Sequence, residues 1–239
     1  MLFIYSGVVP ALDRRLRYEL GKDHQLFTIP FAPEAHWAAL EARDYFEACG
    51  INAHALSASA LYGVKQKLRN EIFTSDAVYL TGGNTYQFLA YAREVGLFSM
   101  LQAFEALGGV IVAESAGSII LSPNISTAAI PTTCPDENST GMTEFQAMGR
   151  IPFHVSPHYE PESPHADREM DELQTLADLS NASVLVLQDG AGVMLQGDNI
   201  VFSTGTPIWL TAAADQSHLP DSPERCAEQA AGSPYSLVG

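Results

Sequence analysis

The stretch of sequence that decides the fold is Gly109-Val110-Ile111-Val112-Ala113-Glu114-Ser115-Ala116-Gly117-Ser118. Residues 110–113 are apolar and largely β-branched, which predicts a buried strand. The run ends at once in Glu-Ser-Ala-Gly, and a second apolar run follows at residues 119–121. A strand, a tight turn and a helix in this order are typical of a nucleophile elbow, in which a strained turn lifts a serine off the end of a sheet. We therefore predict such an elbow at Ser115.

The residues around Ser115 favour this interpretation. Ala116 and Gly117 are small, so the backbone can pass close to the serine and to a bound substrate. The N–H of Ala116 stands at the start of the predicted helix, where it can donate to a developing oxyanion. The strict G-x-S-x-G motif is not met, because Ala113 and Glu114 stand where that motif calls for glycine. A serine that only caps the following helix is the alternative.

The size and composition of the chain fit one large α/β domain. The chain has 239 residues, of which 46% are hydrophobic, and this is enough for a substantial core. From residue 212 onward the composition turns to Ala, Asp, Ser, Pro, Glu and Gly. We expect a single domain over residues 1–211 and a loosely docked or partly disordered tail over residues 212–239.

The charge balance excludes several classes of partner. A formal net charge of −16, with only 12 Lys and Arg, argues against nucleic acid and against anionic membranes. An acidic substrate would need a local cation to offset this background. No apolar run approaches the roughly 20 residues of a membrane span, and the apolar N-terminus lacks the basic residues of a signal peptide. Cys49, Cys134 and Cys226 lack metal or redox spacing, which indicates a reduced, cytoplasmic setting.

Apolar segments of strand length alternate with helical patterns along most of the chain. Strands are predicted at residues 2–5, 26–30, 53–56, 77–81, 110–113, 153–156 and 183–187, and a hairpin at 193–196 and 200–203. Helices are predicted at residues 11–20, 33–48, 61–70, 85–94, 98–106 and 167–179. The alternation predicts a mostly parallel sheet with helices on both faces, and a site beyond the carboxyl ends of its strands. Residues 122–149 are polar and lack a pattern, so we expect a long loop over that site.

A nucleophilic serine needs a base, and the base needs an orienting carboxylate. Three of the seven histidines cluster near one predicted strand. His158 follows the end of that strand and a proline, where a parallel sheet places catalytic side chains, so it is the candidate base. His154 lies inside the strand and is expected to be a packed core residue. Asp189 follows the strand at 183–187 in a glycine turn, which suits the orienting acid and equally an ordinary turn aspartate.

A metal site is the alternative use of the same histidines. His154, His158 and His165 place three imidazoles within twelve residues, and the first two are spaced i, i+4. That spacing brings two imidazoles together only on a helix, whereas Pro157 and the β-branched context indicate a strand and a loop. The sequence therefore favours a triad over a zinc or iron site, and we expect no metal.

Three motifs carry a family resemblance in their order and spacing: Leu80-Thr81-Gly82-Gly83-Asn84-Thr85-Tyr86-Gln87-Phe88-Leu89, Ser115-Ala116-Gly117 and Ser156-Pro157-His158-Tyr159. Together they closely resemble the peptidase E (aspartyl dipeptidase) family, which is related to cyanophycinases. The resemblance implies a class I glutamine-amidotransferase-like α/β fold with a serine in place of that fold's cysteine. It implies that Ser115 is the nucleophile, His158 the general base and Asp189 the acid, with backbone N–H groups of Gly83 and Ala116 in the oxyanion hole.

The same resemblance suggests residues that bind the substrate. Asp167-Arg168-Glu169 resembles a Thr-Arg-Glu segment of aspartyl dipeptidases whose arginine is implicated in recognising the N-terminal aspartate of the substrate. A guanidinium suits a carboxylate, although an arginine paired with an acidic neighbour on a helix surface is the alternative. Asn84, in the first motif, is a further candidate. Glu114 or Glu160 would pair with a free amino group of the substrate, unless they are solvated loop charges.

These observations predict a cytoplasmic serine exopeptidase that cleaves short peptides after an N-terminal aspartate. A small peptide is the expected partner, no cofactor is required, and the oligomeric state stays open, with a homodimer as one alternative. A cyanophycinase-like hydrolase of β-aspartyl-arginine is the enzymatic alternative. A catalytically silent binding module on the same fold is the alternative from a different class.

Overall fold

A computed structural model of the protein describes residues 1–21, 23–57 and 65–212. The strands in these ranges are β1 Leu2–Tyr5, β2 Gln25–Ile29, β3 Asn52–Ala55, β4 Ala77–Leu80, β5 Val110–Glu114, β6 His154–Ser156, β7 Val184–Val186, β8 Gly192–Gln196, β9 Asn199–Thr204 and β10 Ile208–Leu210. The helices are α1 Pro10–Leu20, α2 His36–Ala48, α3 Lys65–Thr74, α4 Thr85–Val95, α5 Leu97–Ala106, α6 Ala116–Ile119 and α7 Ala166–Ser180. No helix in the described ranges is long and apolar enough to cross a membrane.

Seven strands form the main sheet, in the order β3-β2-β4-β5-β1-β8-β9. The five strands from β3 to β1 are parallel, β8 is antiparallel to β1, and β9 returns beside β8. The predicted hairpin is therefore present as β8 and β9, and it forms the antiparallel edge of an otherwise parallel sheet.

Helices cover both faces of the main sheet, because successive strand residues point to opposite sides. In β1, Leu2 and Ile4 are buried in one core with residues of α3, α4 and α5, whereas Phe3 and Tyr5 are buried in a second core with residues of α1 and α2. All four side chains are at most 1% exposed. Burial on both faces explains why β1 is a continuous apolar run without polar alternation. The predicted mostly parallel α/β fold with helices on both faces is confirmed.

A second sheet, of three strands, contains β6, the strand that precedes His158. Its order is β10-β7-β6, with β6 parallel and β10 antiparallel to β7. Helix α7 packs on this sheet through Leu173 and Ala177, which form a separate cluster with Val184 and Val186. The hydrophobic pattern does not distinguish two sheets from one, and it does not predict β10, whose three residues are too few for a recognisable period.

Some predicted boundaries differ from the structure. The helix predicted at 33–48 begins with a 3₁₀ turn, Pro33–Ala35, and α2 itself begins at His36. The helix predicted at 61–70 corresponds to α3, which extends to Thr74, and residues 58–64 lie outside the described residues. Residues 213–239, almost all of the predicted tail, also lie outside them. The domain boundary at 211–212 therefore stays a prediction.

The candidate residues lie just beyond the carboxyl ends of five strands. Ser6 follows β1, Gly83 is in the turn after β4, and Ser115 follows β5. His158 follows β6, and Asp189 follows β7. Open α/β sheets bind their ligands at this edge, so the fold places these residues where a site is expected.

Candidate active site

Ser115 occupies a strained turn between β5 and α6. Its backbone has φ 50° and ψ −115°, a conformation that residues other than glycine rarely take. The Ser115 N–H donates to the Tyr5 carbonyl (2.9 Å), and the Ser115 carbonyl accepts from the Ile119 N–H (3.0 Å). Gly117 packs so tightly that a β-carbon there would lie 2.5 Å from the Leu80 carbonyl oxygen. The elbow therefore requires glycine at position 117.

His158 and Asp189 stand in line with Ser115. The His158 Nε2 atom lies 2.8 Å from Ser115 Oγ, and the His158 Nδ1 atom lies 2.6 Å from Asp189 Oδ1. With Asp189 ionised, Nδ1 carries the proton and donates to the carboxylate, which leaves Nε2 as the acceptor for the serine hydroxyl. His158 also has a left-handed backbone, with φ 63°. The geometry is that of a nucleophile, a base and an acid that orients the base.

Ser6, which was not among the residues predicted from the sequence, connects the histidine to the aspartate. The Ser6 hydroxyl accepts from the backbone N–H of His158 (2.8 Å) and donates to Asp189 Oδ1 (3.1 Å). Ser6 is fully buried. The feature of the sequence that could have identified Ser6 is its position, because Ser6-Gly7 follows the end of β1 just as Ser115 follows the end of β5.

The backbone N–H groups of Gly83 and Ala116, both near Ser115, donate to no acceptor among the described residues. Gly82 packs against the serine, since a β-carbon there would lie 3.3 Å from Ser115 Cβ. Gly83 has φ 139°, and a β-carbon there would lie 2.1 Å from the Phe31 ring. Gly82 therefore allows the turn after β4 to lie close to Ser115, and Gly83 allows the same turn to pack against the Phe31 ring.

Ser115 and His158 open into a cavity of about 440 Å³. Its outer wall is formed by part of the 122–149 loop, from Thr127 to Asp136. The loop is fastened to the N-terminus of α4, where the Asp136 carboxylate accepts from the Thr85 N–H (2.8 Å). The predicted long loop over the site is confirmed.

Of the four predicted substrate-binding residues, one lines this cavity. That residue is Glu160, which is exposed. Asn84 instead caps α4, accepting from a backbone N–H of its first turn (3.0 Å), and donates to a loop carbonyl (2.9 Å). Glu114 accepts from the Tyr79 hydroxyl and from the Gly82 N–H (3.3 Å), and it lines a neighbouring cavity of about 340 Å³.

Arg168, the fourth of these residues, lies on α7 and binds the loop. Its Nε atom pairs with Glu172 Oε1 (2.8 Å), and its Nη2 atom donates to Thr132 Oγ1 (2.6 Å). Thr132 donates from its hydroxyl (2.6 Å) and from its backbone N–H (2.9 Å) to the same carboxylate, and these bonds lower the pKa of Glu172. The Arg168 side chain is 60% exposed and is not among the residues that line the cavity.

The other two histidines of the cluster do not contact Ser115. His154 is 1% exposed inside β6, and burial lowers its pKa. His165 precedes α7 and lines the cavity, as does Cys134 of the loop. Among the residues that the structure describes, no group of three or more His, Cys, Asp or Glu side chains is placed to hold a metal ion.

The sequence model of a known peptidase family matches most of this chain. The model of peptidase family S51 matches residues 6–202, a range that contains Ser6, Ser115, His158 and Asp189. The chain belongs to peptidase family S51. The resemblance that the three motifs indicated is thereby confirmed.

Members of family S51 and solved structures resemble the chain at low identity. Peptidase E of Streptomyces coelicolor is 28% identical over 62% of this chain. A Drosophila melanogaster protein named "Probable alpha-aspartyl dipeptidase" is 28% identical over 77% of this chain and 75% of its own length. The crystal structure of a peptidase from an acI-B1 actinobacterium, 14% identical, covers 89% of this chain and 94% of its own, with a TM-score of 0.62. A structure from Listeria monocytogenes EGD-e, 19% identical, covers 85% of this chain and 96% of its own, with a TM-score of 0.67.

The alignments cover only part of some relatives. The chain spans 48% of the length of an uncharacterised Listeria monocytogenes peptidase, to which it is 32% identical over 44% of its own residues, and 64% of the length of the Streptomyces peptidase E. The structural likeness, at under a fifth identity, establishes the fold of this S51 chain.

Proposed function

We propose that this S51 chain is a serine exopeptidase that hydrolyses short peptides through Ser115, His158 and Asp189. The observation that carries the proposal is the continuous hydrogen-bonded line from Ser115 Oγ through both ring nitrogens of His158 to Asp189 Oδ1, at 2.8 and 2.6 Å. Both distances lie within the range required for proton transfer between a nucleophile and its base. A helix-capping serine does not require a histidine in this position.

Each residue has a defined role in the proposed reaction. Ser115 Oγ attacks the scissile carbonyl carbon while His158 Nε2 takes the hydroxyl proton. The carbonyl oxygen becomes an oxyanion, which the N–H groups of Gly83 and Ala116 bind. His158 then returns the proton to the leaving amine as the peptide bond breaks. A water molecule, activated by the same imidazole, releases the acyl group from Ser115.

The cavity favours small substrates. A volume of about 440 Å³ is that of a site for a small molecule. The loop wall between Thr127 and Asp136 limits access along the sheet edge, which leaves little room for an extended polypeptide. A dipeptide, or a short peptide that enters by one end, fits this shape. The carboxylates that line the cavity, Glu160 among them, would pair with its free amino group.

The finer proposal is a preference for an N-terminal aspartate. The Drosophila relative named "Probable alpha-aspartyl dipeptidase" supports it, and so does Arg168, whose guanidinium lies beside the loop wall of the cavity. To bind a substrate carboxylate, Arg168 would release the carboxylate of Glu172 and bind that of the substrate in its place. Both partners are carboxylates, and the Arg168 side chain is exposed. The net charge of −16 makes such a local cation necessary for an acidic substrate.

One observation favours the second candidate, a hydrolase of β-aspartyl-arginine. The described residues that line the cavity include the carboxylates of Asp136, Glu160 and Glu169 but no lysine or arginine. A wall of this sign attracts a guanidinium and repels a carboxylate. The two candidates therefore differ in the charge of the side chain that the cavity accepts.

Hydrolysis of a small panel tests the function and its two finer forms. Asp-Leu, Glu-Leu, Ala-Leu and β-Asp-Arg are incubated with the wild-type protein and with Ser115→Ala, and the released amino acids are quantified. We expect hydrolysis by the wild type and a loss on the order of 10⁴-fold or more in Ser115→Ala. The preferred substrate identifies the specificity. Near-normal turnover by Ser115→Ala would exclude the proposed mechanism.

A further inference from the structure

Glu169 is a buried carboxylate in an unusual position. On α7 it shares the buried stripe with Ala166, Leu173 and Ala177, where the helix packs on the second sheet. Glu169 is only 6% exposed, and it is also one of the residues that line the cavity shared by Ser115 and His158. A side chain on this stripe is expected to be apolar, and burying a charge without a partner is costly.

No partner offsets this charge within the described part of the chain. The Glu169 carboxylate has no hydrogen bond or ion pair there, and no lysine or arginine of the described ranges lines the cavity. The charged groups that shift its pKa are also acidic. Burial, and then the carboxylates of Glu172 and Glu160, raise the pKa of Glu169. The site is therefore unfavourable for an anion until a cation enters the cavity.

We propose that Glu169 binds a cationic nitrogen of the substrate, and that this nitrogen is the α-ammonium group of its first residue. The inference rests on the proposed peptidase function and names the residue that would make the enzyme require a free amino terminus. The bound ammonium donates to the Glu169 carboxylate, and the ion pair forms in a partly closed cavity where it is weakly screened. Exposed Glu160 adds a second carboxylate on the same wall.

This assignment also gives each charged group of an N-terminal aspartate in the substrate a partner of opposite charge. Arg168 and Glu169 are consecutive on α7, with the first facing the loop residue Thr132 and the second facing the cavity. A substrate aspartate carries an anionic side chain and a cationic amino group, and the two neighbouring side chains of α7 have the opposite charges. A basic side chain of the substrate carries the same chemistry as the α-ammonium, so the test has to separate these two sources.

The first experiment removes the charge from the protein and the nitrogen from the substrate. Glu169→Gln keeps the shape of the side chain, and Glu162→Gln is its control, because Glu162 is exposed, lies outside the cavity lining and carries the same charge. Asp-Leu is compared with succinyl-leucine, and Ala-Leu with propionyl-leucine, which differ only by loss of the α-amino group. Lysyl-leucine is compared with norleucyl-leucine, which differ only by loss of the side-chain ammonium.

We expect loss of the α-amino group to lower the kcat/KM of the wild type and of Glu162→Gln by about 30-fold or more. In Glu169→Gln the same change of substrate should cost less than about threefold. If only the lysyl-leucine pair shows this dependence on Glu169, the cation is a side chain and the assignment to the α-ammonium is overturned. An equal effect of Glu169→Gln on every substrate would overturn the proposal as a whole.

A binding measurement keeps the inference separate from the proposed function. Calorimetric titration of Asp-Leu and succinyl-leucine into Ser115→Ala, with and without Glu169→Gln, needs no turnover. Tighter binding of Asp-Leu that disappears in the double variant supports Glu169 as the cation ligand even if the wild type hydrolyses no peptide of the panel. Equal affinity for both ligands, or an Asp-Leu preference that survives Glu169→Gln, contradicts it.

Discussion

Ser6, Ser115, His158 and Asp189 come from four separate strand ends, and side-chain hydrogen bonds join them into one group. Ser6 contacts both the backbone of His158 and the carboxylate of Asp189, so it holds the base and its acid at a fixed separation. The Ser6 side chain is fully buried. We regard it as a positioning residue, because it acts on the proposed reaction through His158 and Asp189.

Ser6→Ala should lower kcat by about 10- to 100-fold and leave KM nearly unchanged. The variant removes the acceptor of the His158 N–H and one donor to Asp189, and hydrogen bonds of this kind orient the groups that react. Steady-state kinetics on the preferred dipeptide measure both constants. Ser180→Ala is the control, because the Ser180 hydroxyl bonds only to carbonyls of its own helix. A rise in KM at constant kcat would show that Ser6 shapes the binding cavity and does not position the base.

Glu169→Gln should stabilise the free protein at neutral pH. Burial, together with Glu172 and Glu160, raises the pKa of Glu169, so the folded state keeps this proton to a higher pH than the unfolded chain. As pH rises above the unfolded-state pKa of roughly 4.3, the unfolded chain ionises first, and the folded state loses stability until pH passes the folded-state pKa. The amide avoids this loss.

Urea unfolding measures the effect. At about pH 7 we expect the free energy of unfolding of Glu169→Gln to exceed that of the wild type by about 1 kcal/mol, with the difference vanishing as pH falls to about 3, below the unfolded-state pKa, where the carboxyl is protonated in both states. Glu162→Gln, an exposed site, should differ from the wild type by less than about 0.5 kcal/mol. A destabilised Glu169→Gln at pH 7 would mean that the carboxylate has a stabilising partner.

The residues of the proposed triad could be predicted because each follows a strand at a short turn, a local feature of the sequence. Ser6 has the same feature, but a lone Ser-Gly after an apolar run is common, and its partners are more than 150 positions away. Glu169 could not be identified, because a glutamate on a helix is normally exposed. Only the packing of α7 on the second sheet shows that this position is buried.

At the scale of elements, the 122–149 loop is joined to the two helices on either side of the cavity. Arg168 and Glu172 of α7 bind Thr132, and Arg93 of α4 donates to the Gln146 carbonyl (2.7 Å). The loop has little regular structure, so the sequence predicted its extent but not these attachments. Two roles are therefore open for Arg168: it attaches the loop to α7, or it binds a substrate carboxylate.

Arg168→Ala distinguishes these two roles. If Arg168 binds the aspartate of the substrate, kcat/KM for Asp-Leu should fall by about 30-fold or more while that for Ala-Leu changes little. Arg93→Ala is the matched control, since Arg93 also attaches the loop to a helix, but through the Gln146 carbonyl, which lies outside the part of the loop that lines the cavity. Equal losses on Asp-Leu and Ala-Leu, shared by both variants, would mean that Arg168 acts only by holding the loop.

At the scale of the whole molecule, the sheet order brings together residues that are far apart in sequence. β1 lies between β5 and β8 in the main sheet, so Ser6 is beside Ser115, while the second sheet brings His158 and Asp189 to the same edge. The alternation of strands and helices predicted the class of fold and the edge that carries the site. It did not predict the strand order or the second sheet, because these depend on long-range pairing that a hydrophobic period does not encode.

The measurement that tests the role of Ser115 most directly is its reaction with a fluorophosphonate. The serine oxygen attacks phosphorus and fluoride leaves, and the step is fast only when a base accepts the hydroxyl proton. Intact-mass and peptide mapping should find one adduct, at Ser115, in the wild type. The adduct should be absent from Ser115→Ala and should form at least about 10³-fold more slowly in His158→Ala. An unmodified Ser115, or an adduct that forms equally fast without His158, would contradict the proposed mechanism.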